Sequence, residues 1–260
     1  MNDMMITGLL VLTLFLILGS GVWIGLTLSG VAWVGMQMFS ARPAGDAMAM
    51  TIWGSASSWT LTALPLFIWM GEILFRSRLS EEMFKGLAPW LNRLPGRLFH
   101  VNVIGCGIFA AACGSSAATM ATIGRISLPE LDKRGYEPSL SMGALTSAGT
   151  LGIMIPPSIT FIVYGVSAEV SIARLFAAGI LPGIVLMLLF MGYIAFWSML
   201  HKDKMPPPEP SIGFMEKLKL SRHLIPVCIL IALVIGSIYT GVATPTESAA
   251  IGVAGALLLS

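Results

Sequence analysis

The amino-acid sequence predicts an all-α polytopic membrane protein, and three observations carry that prediction. Hydrophobic residues make up 56% of the 260 residues and charged residues 11%, a balance that a soluble core of this length does not need. Several apolar runs approach about twenty residues without a charge, the length a helix needs to cross a bilayer. The basic residues fall in short clusters between those runs rather than along one face, so they report orientation. The formal net charge of +2 is too small to argue for a nucleic-acid partner.

The opening residues Met1, Asn2 and Asp3 lack a positive n-region and no A-x-A-like site closes the first apolar run, which therefore reads as a retained segment. Residues 4–18 and 22–39 are apolar and parted by Gly19, Ser20 and Gly21, a cluster that fits either a turn between two short helices or a kink in one. Residues 51–75 form the next run, interrupted by Pro65 and carrying Glu72. A loop with Arg76, Arg78, Lys85, Arg93 and Arg97 follows, and its basic excess marks it as cytoplasmic.

Residues 101–124 read VNVIGCGIFAAACGSSAATMATIG, two apolar halves around a small polar hinge at Gly114, Ser115 and Ser116. At 1.5 Å per residue neither half spans a hydrocarbon core of about 30 Å, so the segment reads as a re-entrant hairpin. Arg125, Lys133 and Arg134 return the chain to the side it entered from. Backbone groups freed at such a break cannot face lipid and must pair with protein, water or an ion.

Residues 140–166 form another run, broken at SAGTLGIMIPPSITFIVYG (147–165). Pro156 and Pro157 cannot donate backbone hydrogen bonds, so carbonyls near Gly152 and Ile153 lose their helical partners. Free carbonyls with the hydroxyls of Ser147, Thr150 and Ser158 suit a small hard cation, and Gly149 and Gly152 admit a second backbone. A helix restarting after Ser116 or Pro157 presents N–H groups and a positive dipole end to an anion. Close helix packing and a simple proline kink are the competing explanations, and two breaks in one half of the chain shift the balance towards a site.

Residues 175–200 cross back, and Lys202, Lys204, Lys217, Lys219 and Arg222 restore a basic loop over 201–223, where Pro206, Pro207, Pro208 and Pro210 suggest a linker between halves. Residues 224–239 cross again, 241–247 lie outside, and the apolar run 249–260 reads as interrupted in mid-helix. TPTE at 244–247 fits a helix start, with Thr244 as cap, Pro245 in the first turn and Glu247 completing a capping box. Glu72 is the clearest ionisable residue near a span, either functional or paired with Arg76 four residues on. Arg125 fits either a substrate carboxylate or an orientation anchor.

Enzyme chemistry finds little support. No histidine or lysine lies inside a span to serve Ser115 as a base, and no GxxxxGK[ST] loop is present. Cys106, Cys113 and Cys228 lack metal-ligand spacing and read as small packing residues.

Taken together, ALPLFIWMGEIL (63–74), VNVIGCGIFAAACGSSAAT (101–119), IGRISLPELDKRGY (123–136), SAGTLGIMIPPSITFIVYG (147–165), LFAAGILPG (175–183) and GVATPTESAA (241–250) resemble the large membrane subunit of tripartite ATP-independent periplasmic (TRAP) transporters. The resemblance implies an elevator-type ion-transporter fold of inverted repeats, in the bacterial inner membrane. Residues 1–200 would be the first repeat, with its hairpin near 101–124 and broken helix near 140–166; 201–223 the linker; and 224–260 the start of a second repeat. It implies sodium-coupled uptake of a small organic anion such as a C4-dicarboxylate, keto acid or sugar acid. The partners would be a small membrane subunit and a periplasmic solute-binding protein, with no organic cofactor. Carried over by motif, the sodium candidates are Gly114, Ser115, Ser116, Gly149, Thr150, Gly152 and Pro156. The substrate candidates are Ser115, Ser116, Thr146, Ser147, Pro157 and Ser158. The alternative function is a non-transporting membrane scaffold or assembly subunit.

Overall fold

The computed structural model describes residues 3–41, 43–207 and 213–260; Met1, Asn2, and the linker prolines Pro208 and Pro210 lie outside these. The described residues are helical, without a strand among them, and fall into two compact units, Met1–Ser58 and Trp59–Ser260.

The first unit holds α1 (Asp3–Gly19), α2 (Ile24–Phe39) and α3 (Ala44–Ala56). Gly21 takes φ +81°, a left-handed turn residue between α1 and α2. Ile17 lies against Gly30 and Leu10 against Gly35, so the contacts run in reverse order and the two helices form an antiparallel pair. That settles the choice left open at 19–21: a turn between two helices, not a kink. Phe15, Leu16 and Trp23 remain exposed, as suits helices whose solvent is lipid.

In the second unit a 3-10 turn, Trp59–Thr62, leads into α4 (Ala63–Arg76). The interruption expected at Pro65 falls instead at Ser57 and Ser58. Pro65 is the third residue of α4, where a backbone N–H has no partner within the helix and its loss is inexpensive. The basic stretch after α4 contains a helix of its own, α5 (Leu79–Leu91), which buries Leu79, Met83, Phe84, Leu87 and Leu91 while Glu81 and Lys85 face out. This three-to-four-residue period within the basic segment is what drives the helix.

Next come α6 (Leu98–Cys113) and α7 (Ser116–Lys133). Their 16 and 18 residues reach roughly 24 and 27 Å. Contacts run antiparallel: Ile123 Cδ1 lies 3.7 Å from where a Cβ on Gly105 would stand. At the open end Tyr136 stacks edge-on to Phe99 at 4.9 Å, and its hydroxyl accepts from Leu98 N at 3.5 Å. The pair is a helical hairpin and not a continuous rod.

The chain continues through α8 (Pro138–Gly149), α9 (Leu151–Met154), α10 (Ile159–Ser167) and α11 (Ile172–Leu200), then α12 (Phe214–Ser221), α13 (Ile225–Tyr239) and α14 (Pro245–Leu259). Among the described residues, three stretches are long and apolar enough to cross a membrane: Pro138–Ser167, Ile172–Leu200 and Phe214–Tyr239, of 30, 29 and 26 residues. Along α11, Leu181, Leu188, Leu189 and Phe196 stay exposed, an apolar surface that water would penalise and acyl chains would not. The capping box at α14 forms as the sequence suggests: Glu247 N donates to Thr244 Oγ1 at 3.3 Å, and Thr244 N to Glu247 Oε2 at 2.8 Å. Gly252 brings α14 close to α4 and α13, since a Cβ there would lie 2.5 Å from Met70 Sδ and 2.9 Å from Val234 Cγ2.

Candidate functional site

The hairpin turns over two residues. Gly114 ends α6 with φ +64°, its N–H donating to Ala110 O at 2.8 Å. Ser115 is extended and caps α7, its Oγ accepting from Ala118 N at 3.4 Å. Only glycine fits at 114: the left-handed φ disfavours a side chain, and a Cβ there would strike the carbonyl oxygen of Pro157. Ile159 N donates to Gly114 O at 3.2 Å, tying the tip to the start of α10.

The broken helix meets the tip from the other side. A Cβ on Gly152 would lie 2.7 Å from Ser116 N and 2.9 Å from Ser115 C, so the missing side chain lets the two backbones touch. Gly149 faces Met120 in the same way, at 3.0 Å from its Cβ. Pro156 and Pro157 stand where the amide donors to Gly152 and Ile153 would be. The carbonyl of Ile153 is compensated, because Ser158 Oγ donates to it at 2.7 Å; Ile155 N donates to Leu151 O at 2.8 Å, leaving Gly152 O without a helical partner. Ser116 Oγ is buried and has no hydrogen-bond partner. A buried hydroxyl and a freed carbonyl thus lie at one crossing of two interrupted backbones, with neutral oxygens as the donors.

The structure brings Gly114, Ser115, Ser116, Gly149, Gly152, Pro157 and Ser158 to this crossing, with Pro156 adjoining them. Three other candidates are placed differently. Thr146 Oγ1 donates to Met142 O at 2.8 Å and Thr150 Oγ1 to Ser147 O at 2.6 Å, so both hydroxyls serve their own helix. Ser147 lines a groove between α8 and α11 together with Tyr193, Trp197 and Lys204.

Two neighbours of the tip escape a reading of the sequence. Cys113 Sγ lies 3.3 Å from Thr119 Oγ1 across the turn, and Gly71 of α4 approaches so closely that its Cβ would stand 2.6 Å from Cys113 Cβ. A lone glycine inside MGEIL is the signal that could have found the second. Glu72 is paired with Arg76 at 2.6 Å on an exposed surface. Arg125 lies over the Phe75 ring at 5.8 Å and lines a cleft against α5.

Comparison with known proteins adds the family. The family model described as "Tripartite ATP-independent periplasmic transporter, DctM component" matches residues 9–260. The C4-dicarboxylate TRAP transporter large permease protein of Vibrio cholerae is 34% identical over 207 residues, 78% of this chain and 45% of that protein. The isethionate TRAP transporter permease protein of Oleidesulfovibrio alaskensis is 35% identical over 239 residues, 92% of this chain and 37% of that protein. The ectoine/5-hydroxyectoine TRAP transporter large permease protein of Ruegeria pomeroyi is 31% identical over 249 residues, 95% of this chain and 58% of that protein. The chain spans about half the length of the curated relatives it matches.

Proposed function

The chain belongs to the DctM-component family of tripartite ATP-independent periplasmic transporters, bacterial inner-membrane permeases, and on that premise we propose that it takes part in sodium-coupled uptake of a small organic anion. The observation that carries this reading is the crossing of two broken backbones, where Ser116 Oγ is buried without a partner and Gly152 O has no helical donor. Buried polar atoms at such a depth need a guest, and neutral oxygens suit a monovalent hard cation.

Ser116 and the carbonyls of Gly114 and Gly152 are the groups to hold the sodium ion. Sodium bound there would supply a fixed positive charge beside the restarted helices. Ser115 and the N–H groups opening α7 and α10 are then the groups to orient a carboxylate, since helix N-termini favour anions. Support for the substrate class comes from the relatives, whose names specify C4-dicarboxylates, isethionate and ectoine. In this reading the protein is a carrier and not an enzyme, and it works with a small membrane subunit and a periplasmic solute-binding protein.

The test is uptake by the full-length permease reconstituted with both partners. Replacing external sodium by choline is expected to abolish concentrative carboxylate uptake; uptake that persists unchanged removes sodium coupling.

A further inference from the structure

A second feature lies away from the tip. Between α5 and the far half of α7 is a cleft of ≈ 590 Å³, closed on one side by Leu220 of α12. α12 and the turn after it are fastened to α5: Trp90 Nε1 donates to Ser221 Oγ at 2.8 Å, and His223 Nδ1 stands 3.5 Å from Glu82 Oε2. The cleft is therefore walled by three segments and is not a flat patch.

Its lining is amphipathic in an ordered way. Phe84, Pro89, Ile126 and Leu220 supply apolar surface, and Glu81, Lys85, Arg125, Glu130 and Arg134 supply charge. The carboxylate of Glu130 is already satisfied, by Lys133 at 3.3 Å and Arg134 at 3.4 Å. Lys85 and Arg125 form no ion pair among the described residues, which leaves the cleft a positive surplus over Glu81. Around it Trp90, Phe214 and Met215 are exposed, with Trp90 edge-on to Phe214 at 6.2 Å and Lys217 Nζ over the Trp90 ring at 5.9 Å. An exposed tryptophan among apolar side chains and lysines is the composition of a headgroup-level surface. The basic excess of this end assigns it to the cytoplasmic side.

We propose that this cleft binds one anionic phospholipid, its phosphate facing Lys85 and Arg125 and an acyl chain lying on Phe84, Pro89, Ile126 and Leu220. Two cations outside any ion pair, in excess of the single carboxylate of Glu81 and beside an apolar wall of this size, match a group that is anionic at one end and hydrocarbon at the other, and basic pockets at the cytoplasmic ends of membrane helices take such headgroups. Bound there, the lipid would join α5 to the base of the hairpin, so lipid composition would act on the hairpin without touching its tip.

The experiment uses purified, delipidated full-length protein, with lipid retention read by native mass spectrometry and thermal unfolding in parallel. Phosphatidylglycerol is expected to be retained and to raise the unfolding temperature, with phosphatidylethanolamine and soluble glycerol 3-phosphate giving neither effect. Lys85→Gln and Arg125→Gln should each weaken retention about five-fold, the equivalent of ~1 kcal/mol per cation near a membrane surface. Lys219→Gln, a basic residue outside the cleft, should retain lipid as the unmodified protein does. Undiminished phosphatidylglycerol retention in the double variant overturns the proposal. So does equal protection by phosphatidylethanolamine, which would mean any lipid suffices, or by glycerol 3-phosphate, which would mean a soluble anion occupies the cleft.

Discussion

The chain contains two glycine–serine interruptions with nearly the same letters, Gly19-Ser20-Gly21 and Gly114-Ser115-Ser116, and they do different work. Each turns an antiparallel pair of helices, and each uses a left-handed glycine, at φ +81° for Gly21 and +64° for Gly114. Around Gly21 a Cβ would meet nothing within 4 Å, and Ser20 is exposed with its hydroxyl returned to Ile17 O at 2.7 Å. Around Gly114 a Cβ would strike Pro157 O, and Ser116 Oγ is buried with no partner. The first is a turn that satisfies itself. The second is half of a contact whose other half is a second break about forty residues on, and of the two turns it is the one that leaves a buried hydroxyl, Ser116 Oγ, in want of a partner.

Substitution can break or sharpen this contrast. The largest effect belongs to Gly114→Ala and Gly152→Ala, because each new Cβ meets backbone, which cannot swing aside as a side-chain end can. Both should reduce uptake to background, measured with reconstituted full-length protein and its partners. Ser116→Ala should preserve folding and raise the sodium concentration for half-maximal uptake about ten-fold, the loss of ~1.4 kcal/mol from one ligand. Gly21→Ala should cost about 1–2 kcal/mol of stability through its left-handed φ alone, seen as a lower unfolding temperature with sodium dependence unchanged. Thr244→Ala, which removes the cap of α14, should cost about 1 kcal/mol and likewise leave sodium dependence alone. Glu72→Gln is the smallest: its bridge to Arg76 is exposed on both sides, and such pairs contribute between about 0 and 1 kcal/mol.

Much of this was legible in the residues. The hairpin break at Gly114 was, because a polar small-residue cluster inside an apolar run has few structural outlets. The capping box of Thr244 and Glu247 was, because its chemistry is local. Pro65 misled, since a proline reads as a breaker unless the helix start is known, and the start at Ala63 depends on the turn that precedes it. The helix α5 hid within a basic stretch whose charges drew more notice than its apolar period. At the site, the glycines were legible and the hydroxyls less so. α8 has apolar or small residues on every side, so periodicity does not say whether Thr146 or Ser147, or Thr150 just beyond its end, faces the hairpin. Cys113 joins the tip by a tertiary contact that no local pattern announces, and for Gly71 the lone glycine inside MGEIL marks a close approach without naming its partner.

The most direct measurement compares the sodium dependence of uptake in the unmodified full-length transporter, Ser116→Ala and Ser20→Ala. The account predicts a roughly ten-fold rise in the half-maximal sodium concentration for Ser116→Ala and none for Ser20→Ala. An unshifted sodium dependence in Ser116→Ala, at uptake rates matching the unmodified protein, would contradict it.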